Sequence, residues 1–227
     1  MAEEYLTDDE QLEAVKHAFV EYAPWLIGGA LVGAILLFGY RYFENYTEGR
    51  ALKAAAQFNA MTAALQTGNS AKSRQIAEAL IQDFPSSPYA DQAQLTLARL
   101  DVDGGEPNKA IPPLTRVMTE SKDTQLRQIA RLRLARLLID QGKPDEAIST
   151  LAGPVPAAFA GPFHEVLGDA FAAKKDPQHA VGQYREAVVA AAVAGINTSL
   201  LELKIQDLGK VSPAPAPPSD TSIKVKP

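Results

Sequence analysis

With 227 residues and 46% hydrophobic side chains, the chain has enough material for one sizeable core plus accessory segments, and its scarcity of aromatics (7%) beside abundant alanine and leucine favours helices. A formal net charge of −5 gives no basic stripe for a phosphate backbone, so no nucleic-acid partner is expected. Cysteine is absent, which excludes disulfides and thiolate metal sites without choosing a compartment.

The charged residues of 1–21 are mostly acidic, with Lys16 the only lysine or arginine. Thr7-Asp8-Asp9-Glu10 has the form of a capping box and predicts a helix start. Leu12, Val15, Phe19 and Tyr22 then fall near one helical face. That face fits a short extension of the next segment or a docking surface for a cytosolic partner.

Residues 22–40 carry no charge at all. As a helix they would extend about 28 Å, close to the hydrocarbon thickness of a bilayer. Tyr22 and Trp25 at one edge, and Tyr40, Tyr42 and Phe43 at the other, suit the headgroup layer. Cleavage as a signal peptide is disfavoured by the bulky run Gly39-Tyr40-Arg41-Tyr42-Phe43, where small residues would be needed. A buried core helix is disfavoured by glycines at 28, 29, 33 and 39, which are ordinary in lipid. The expectation is a retained single transmembrane helix over 22–40. Gly29 and Gly33 form a G-x-x-x-G pair, a candidate for helix packing within the membrane. Lysine and arginine follow the span at Arg41, Arg50 and Lys53, so charge counting leans toward a cytoplasmic C-terminal domain, yet long domains translocate despite that bias. The residues alone leave both orientations open.

Residues 41–210 contain internal repeats. Gly68, Gly105, Gly142 and Lys175 align at intervals of 37, 37 and 33 residues. The last three units share Pro107, Pro144 and Pro177, then Ala110, Ala147 and Ala180, each followed by Ile111, Ile148 or Val181. Before the marker come Leu97-Ala98, Leu134-Ala135 and Leu167-Gly168; nine residues after it come Leu114, Leu151 and Tyr184. The first unit is degenerate, with Met61 and Ser73 in equivalent places and Asp83-Phe84-Pro85 at its end. Each unit reads as helix, tight turn, helix. Glycine ends the first helix in a left-handed conformation, and proline opens the second, where its missing N–H costs nothing. Small residues allow close approach, larger ones fill the space between units, and stacking supplies the shared core.

This is the pattern of tetratricopeptide repeats, although the usual tryptophan and tyrosine of the first helix are lacking. The expected fold is all-α: a single N-terminal transmembrane helix, a tetratricopeptide-like solenoid of about four hairpins, and a capping helix near 198–208. Pro112-Pro113 and Pro154-Val155-Pro156 are expected to break second helices and make the domain irregular. From residue 211 to 227 a proline-rich stretch reads as a disordered tail.

Chemistry is sparse. His17, His164 and His179 have neither ligand spacing nor a nucleophile motif, and no phosphate-cradling glycine loop occurs. No catalytic residue, metal or cofactor is expected. Binding remains. In such solenoids the first helices line the concave face, where Arg99 and Arg136 share a register one turn after Leu95 and Leu132. Arg131 and Arg133 lie close by. Arginines beside apolar residues suit acidic or extended unfolded segments, and the competing reading is that they are simply solvated.

The run Asp8-Asp9-Glu10-Gln11-Leu12-Glu13-Ala14-Val15-Lys16, followed by a span ending Gly39-Tyr40-Arg41-Tyr42, resembles the start of the bacterial ancillary SecYEG translocon subunits, the YfgM family. Leu203-Lys204-Ile205 and Leu208 are similar to that family's C-terminal end, so the resemblance covers residues 7–210 and leaves out the proline-rich tail. It implies a type II inner-membrane protein with residues 1–21 in the cytoplasm and the repeats in the periplasm. It further implies association with the SecYEG translocon and with the membrane-anchored periplasmic chaperone PpiD, and help in passing unfolded, newly translocated polypeptides to chaperones. The family's cytoplasmic tail is linked to regulated turnover, and no catalytic residue carries over. Two other roles fit the residues: a membrane-anchored scaffold for another envelope assembly, and a regulator of a cytosolic factor through the N-terminal tail.

Overall fold

A computed structural model describes the backbone of residues 8–211 and the side chains of Lys16, Trp25, residues 27–29, 31–41 and 48–209. Thr7 of the capping box and all but the first residue of the proline-rich stretch lie outside these. Among the described residues the chain forms nine α-helices and one 3-10 turn, with no strand. It divides into two compact units, Met1–Ala55 and Ala56–Pro227.

The first unit holds most of helix α1 (Asp8–Gln66). Its described large apolar side chains, among them Trp25 (82% exposed), Ile27, Leu31, Ile35, Phe38 (77%) and Tyr40, are exposed. Side chains added at Gly28, Gly29, Gly33 or Gly39 would meet nothing within 4 Å. Among the described residues no helix is long and apolar enough to cross a membrane. The uncharged run 22–40 falls partly outside that set, at the side chains of residues 22–24, 26 and 30.

The second unit is a stack of hairpins. The end of α1 pairs with α2 (Ser70–Asp83), α3 (Pro88–Asp103) with α4 (Pro107–Glu120), α5 (Thr124–Asp140) with α6 (Pro144–Leu151), and α7 (Ala160–Ala173) with α8 (Pro177–Val193). Helix α9 (Ser199–Val211) closes it. The first helices α3, α5 and α7 also touch in succession, as a solenoid requires.

The four turns share one geometry. Gly68, Gly105, Gly142 and Lys175 all take left-handed φ values, of 74°, 78°, 72° and 62°. In each, the next residue's N–H closes onto a carbonyl five residues back: Asn69 to Ala64, Glu106 to Asp101, Lys143 to Leu138 and Asp176 to Phe171, at 2.8–2.9 Å. This is the Schellman closure of a helix C-terminus. Starts are equally ordered: Pro88, Pro107, Pro144 and Pro177 open their helices, and Asn69, Ser87, Asp123 and Asp176 cap free N–H groups with their side chains.

The main core runs from α3 to α7. Ala98, Ala110, Ala135 and Ala147 are buried at the helix crossings, with Leu114, Val117, Leu138, Leu151 and Phe163 filling between them. Smaller clusters hold the first hairpin around Met61 and Leu80, and the last around Tyr184 and Leu201.

One expectation of irregularity fails and the other holds. Pro112 and Pro113 do not break α4; both lie inside an unbroken helix. Each interior proline costs about 3 kcal/mol in an isolated helix. Here the buried row Ala110, Leu114 and Val117 straddles them and holds the helix in place by packing. Pro154 and Pro156 do cut α6 short: it is eight residues long, and the chain then runs extended to a 3-10 turn at Ala157–Phe159.

Candidate functional site: a basic groove

Across α3, α4 and α5 lies an open depression of about 390 Å³. Its register comes from the repeat. Arg99 and Arg136, 37 residues apart, reach it from successive first helices, and Asp103 and Asp140 reach it one turn further on. The floor is apolar, from Ala98, Leu114 and Leu137, and Val102 is 45% exposed at the rim.

The six residues singled out from the sequence thus separate. Arg99 and Arg136 line the groove together. Leu95 and Leu132 lie beneath it, each 6% exposed and packed into the main core, so neither is a lining residue. Gly29 and Gly33 belong to the other compact unit, on an open stretch of α1.

Arg133 completes the site, and the repeat register gave no hint of it, because the equivalent positions are Thr96 and Val166. Its best acceptor is the carbonyl of Leu95, at a long 3.4 Å. Burial, and after it the charges of Arg99 and Arg136, push its guanidinium below the ordinary arginine value. Such a group still stays charged at neutral pH. The internal neutralisation is thin: Arg99 meets Asp103 at 3.4 Å with both side chains mostly exposed, and Arg136 pairs with no carboxylate among the described residues.

The remaining arginines of α5 serve the fold. Arg127 donates to the Ser121 carbonyl at 2.8 Å. Arg131 donates to the carbonyls of Thr150, Leu151, Ala152 and Pro154 at 2.7–3.3 Å, and its guanidinium sits 4.7 Å over the Phe163 ring. It therefore caps the end of α6 where the prolines cut it.

A second polar cluster binds α9 to the stack. Lys204 Nζ donates to Glu165 at 2.9 Å and to Asp169 at 2.8 Å, and Tyr184 Oη donates to Asp169 at 2.7 Å. Burial works against the Lys204 charge, but the bonds to Asp169 and Glu165 outweigh it and hold its pKa above the ordinary value. Burial, then the bond to Asp169, pushes the Tyr184 phenol far up, so it remains a donor at any physiological pH.

The histidines play local parts. His164 Nδ1 meets Gln183 at 2.8 Å, while His179 meets the helix-capping Asp176 and stacks on Phe171. Among the described residues no three potential ligands gather as a metal site.

Stacked hairpins closed by Schellman turns, with small residues at their crossings and an open groove across the first helices, define an interaction domain of the tetratricopeptide class. Residues 16–210 match the family described as "Tetratricopeptide repeat-like domain", and the chain belongs to that family. It is similar to two proteins each named "Ancillary SecYEG translocon subunit". That of Neisseria gonorrhoeae (strain ATCC 700825 / FA 1090) is 27% identical over 205 residues, covering 90% of this chain and 98% of the relative. That of Escherichia coli (strain K12) is 29% identical over 204 residues, with the same coverage. No solved structure matches the chain. The resemblance read from residues 7–210 is therefore present along almost the whole of both relatives.

Proposed function

We propose that the chain is a non-enzymatic adaptor held beside the Sec translocon by one N-terminal membrane helix. Its repeat domain lies in the periplasm and engages partner chaperones or newly translocated polypeptides. The observation that carries this reading is the extent of the likeness, which takes in α1 and the repeats together and covers 98% of each ancillary translocon subunit. A repeat domain alone would fit many roles; a likeness that runs through α1 as well as the repeats is more specific.

The uncharged run 22–40 supports the anchor, because it lies within one continuous helix and its described apolar side chains are exposed. Exposed apolar surface on that scale is costly in water and favourable in lipid. Anchoring would keep the groove near the exit of the translocon and raise its effective concentration for emerging chains, with no gain in intrinsic affinity needed. The periplasmic orientation is taken from the resemblance, against the weak charge count of Lys16 before the run and Arg41, Arg50 and Lys53 after it.

Site-specific photocrosslinking from the repeat domain in intact membranes tests the reading. Sec components and periplasmic chaperones are expected among the products; their absence, with components of another envelope complex in their place, would replace the adaptor with a scaffold. A reporter fused after residue 227 should be active only outside the cytoplasm.

A further inference from the structure

Three guanidinium groups share one depression, and the protein does little to neutralise them. Arg133 is exposed, with one long bond to a carbonyl, and it feels Arg99 and Arg136 as like charges. Arginines in a purely structural role look different in this same helix: Arg131 donates to four carbonyls and to Gln128. Three arginines set against Asp103 and Asp140 leave the depression with an excess of positive charge, which a carboxylate complements because its two oxygens match the guanidinium fork.

We propose that this groove binds an extended peptide segment of a partner chain in which a carboxylate stands beside an apolar side chain. The carboxylate sits on Arg133 and Arg136, flanked by Arg99. The apolar side chain covers Ala98, Val102 and Leu137, where Val102 is left open to water. Asp103 and Asp140, one turn along, make the site bipolar. They repel a second anion at that end, which disfavours an anionic lipid surface and favours a single acidic side chain or a chain terminus. This inference deepens the adaptor reading and rests on it for the identity of the partner, since newly translocated segments and chaperone arms can present such chemistry.

The test uses the full chain in detergent micelles and fluorescein-labelled, C-terminally amidated peptides with a single aspartate flanked by leucines, against the same peptides with asparagine for aspartate. The acidic peptide should bind, and the asparagine peptide should bind about tenfold more weakly or not at all. Arg133→Gln and Arg136→Gln should each weaken the acidic peptide by a factor of about 3–10 and leave the asparagine peptide unchanged. Arg116→Gln, which removes an exposed arginine of α4 paired with Glu120 at 3.1 Å, should change neither. Unlike a structural arginine, Arg136 should be replaceable by glutamine without lowering the melting temperature of the free protein. Arg133→Lys keeps charge while losing the fork and should recover binding only in part.

Equal binding of the two peptides would overturn the proposal, as would an equal loss in the Arg116 variant or displacement of the peptide by a soluble short-chain phosphatidylglycerol. These outcomes are separable from the fate of the adaptor reading. Sec crosslinks that persist while the peptides ignore charge would remove the carboxylate site and leave the adaptor; charge-dependent binding without Sec crosslinks would do the reverse.

Discussion

The hairpins α3–α4 and α5–α6 are built on one residue pattern, whereas α7–α8 reaches the same backbone with different side chains. In the first two, glycine makes the turn, alanine sits at the crossing (Ala98, Ala135) and leucine packs against it (Leu114, Leu151). In the third, Lys175 makes the turn, Gly168 takes the alanine position and Tyr184 takes the leucine position. The last two changes are one adjustment, because a Cβ on Gly168 would clash with the Cδ1–Cε1 edge of the Tyr184 ring. A larger partner across the crossing demands a smaller residue opposite. What the tyrosine adds is a hydroxyl: it reaches Asp169, which also receives Lys204 from α9. An inner unit has another hairpin on each side and is satisfied by leucine. The outer unit must hold a lone closing helix, and it does so with a polar tip on an apolar ring.

The two regions meet where α6 stops, and Arg131 is the joint. It extends from α5 to the carbonyls at residues 150–152 and 154 and lies on Phe163 of α7. Its removal should have the largest effect of any single change considered. Arg131→Ala should cost about 3 kcal/mol, because several carbonyls lose a charged donor at once. Arg131→Lys should recover less than half, since one ammonium cannot serve a row of acceptors. Denaturant titration of the full chain in micelles measures both. A loss below about 1 kcal/mol would mean that water already satisfies the end of α6, and the joint would then lie elsewhere.

The paired adjustment at the last crossing comes next. Gly168→Ala alone should destabilise by about 2 kcal/mol through overpacking against the tyrosine. Tyr184→Leu alone should also destabilise, by losing ring packing and the bond to Asp169. Together the two substitutions restore the alanine–leucine pairing of the inner hairpins. The double variant should therefore be more stable than the summed losses predict, with a coupling of about 1 kcal/mol or more. Additive losses in a double-mutant cycle would mean that α7–α8 differs from its neighbours in more than this pair.

Much of this was legible in the residues, for a physical reason. Turns and crossings repeat because the backbone repeats, so aligning Lys175 with Gly142 placed a lysine in a left-handed turn, and aligning Gly168 with Ala135 placed a glycine at a crossing. The shared register of Arg99 and Arg136 likewise put both on one groove. Features that do not repeat were legible only as nearness in sequence, which named Arg131 and Arg133 beside the groove without separating their roles. Arg133 has no counterpart among the other units, and the role of Arg131 depends on where the 154–156 prolines send the chain. Leu95 and Leu132 were on the expected helices, but one turn of helix separates the groove from the core, and they fall on the core side. The prolines of α4 misled because local propensity was set against a packing row that the sequence shows only as spacing.

The turn residue offers the smallest effect and the cleanest comparison. Lys175 holds φ at 62° with a side chain in place, while Gly142 holds 72° without one, and both close the same pair of backbone bonds. A left-handed conformation costs a non-glycine residue roughly 1 kcal/mol more than it costs glycine. Lys175→Gly should therefore stabilise the repeat domain by about 0.5–1 kcal/mol, less the greater freedom that glycine has in the unfolded chain. The Lys174–Asp145 contact beside it is left in place and does not enter the difference. Gly142→Ala should destabilise by a similar amount, because its left-handed backbone disfavours a Cβ, and with no other atom within 4 Å no further clash adds to that cost. Opposite shifts in melting temperature of comparable size would establish that the two turns are the same structure and differ only in the residue that fills it. A loss on Lys175→Gly would instead give the lysine side chain a stabilising part of its own, and the outer hairpin would then depart from the inner ones at its turn as well as at its crossing.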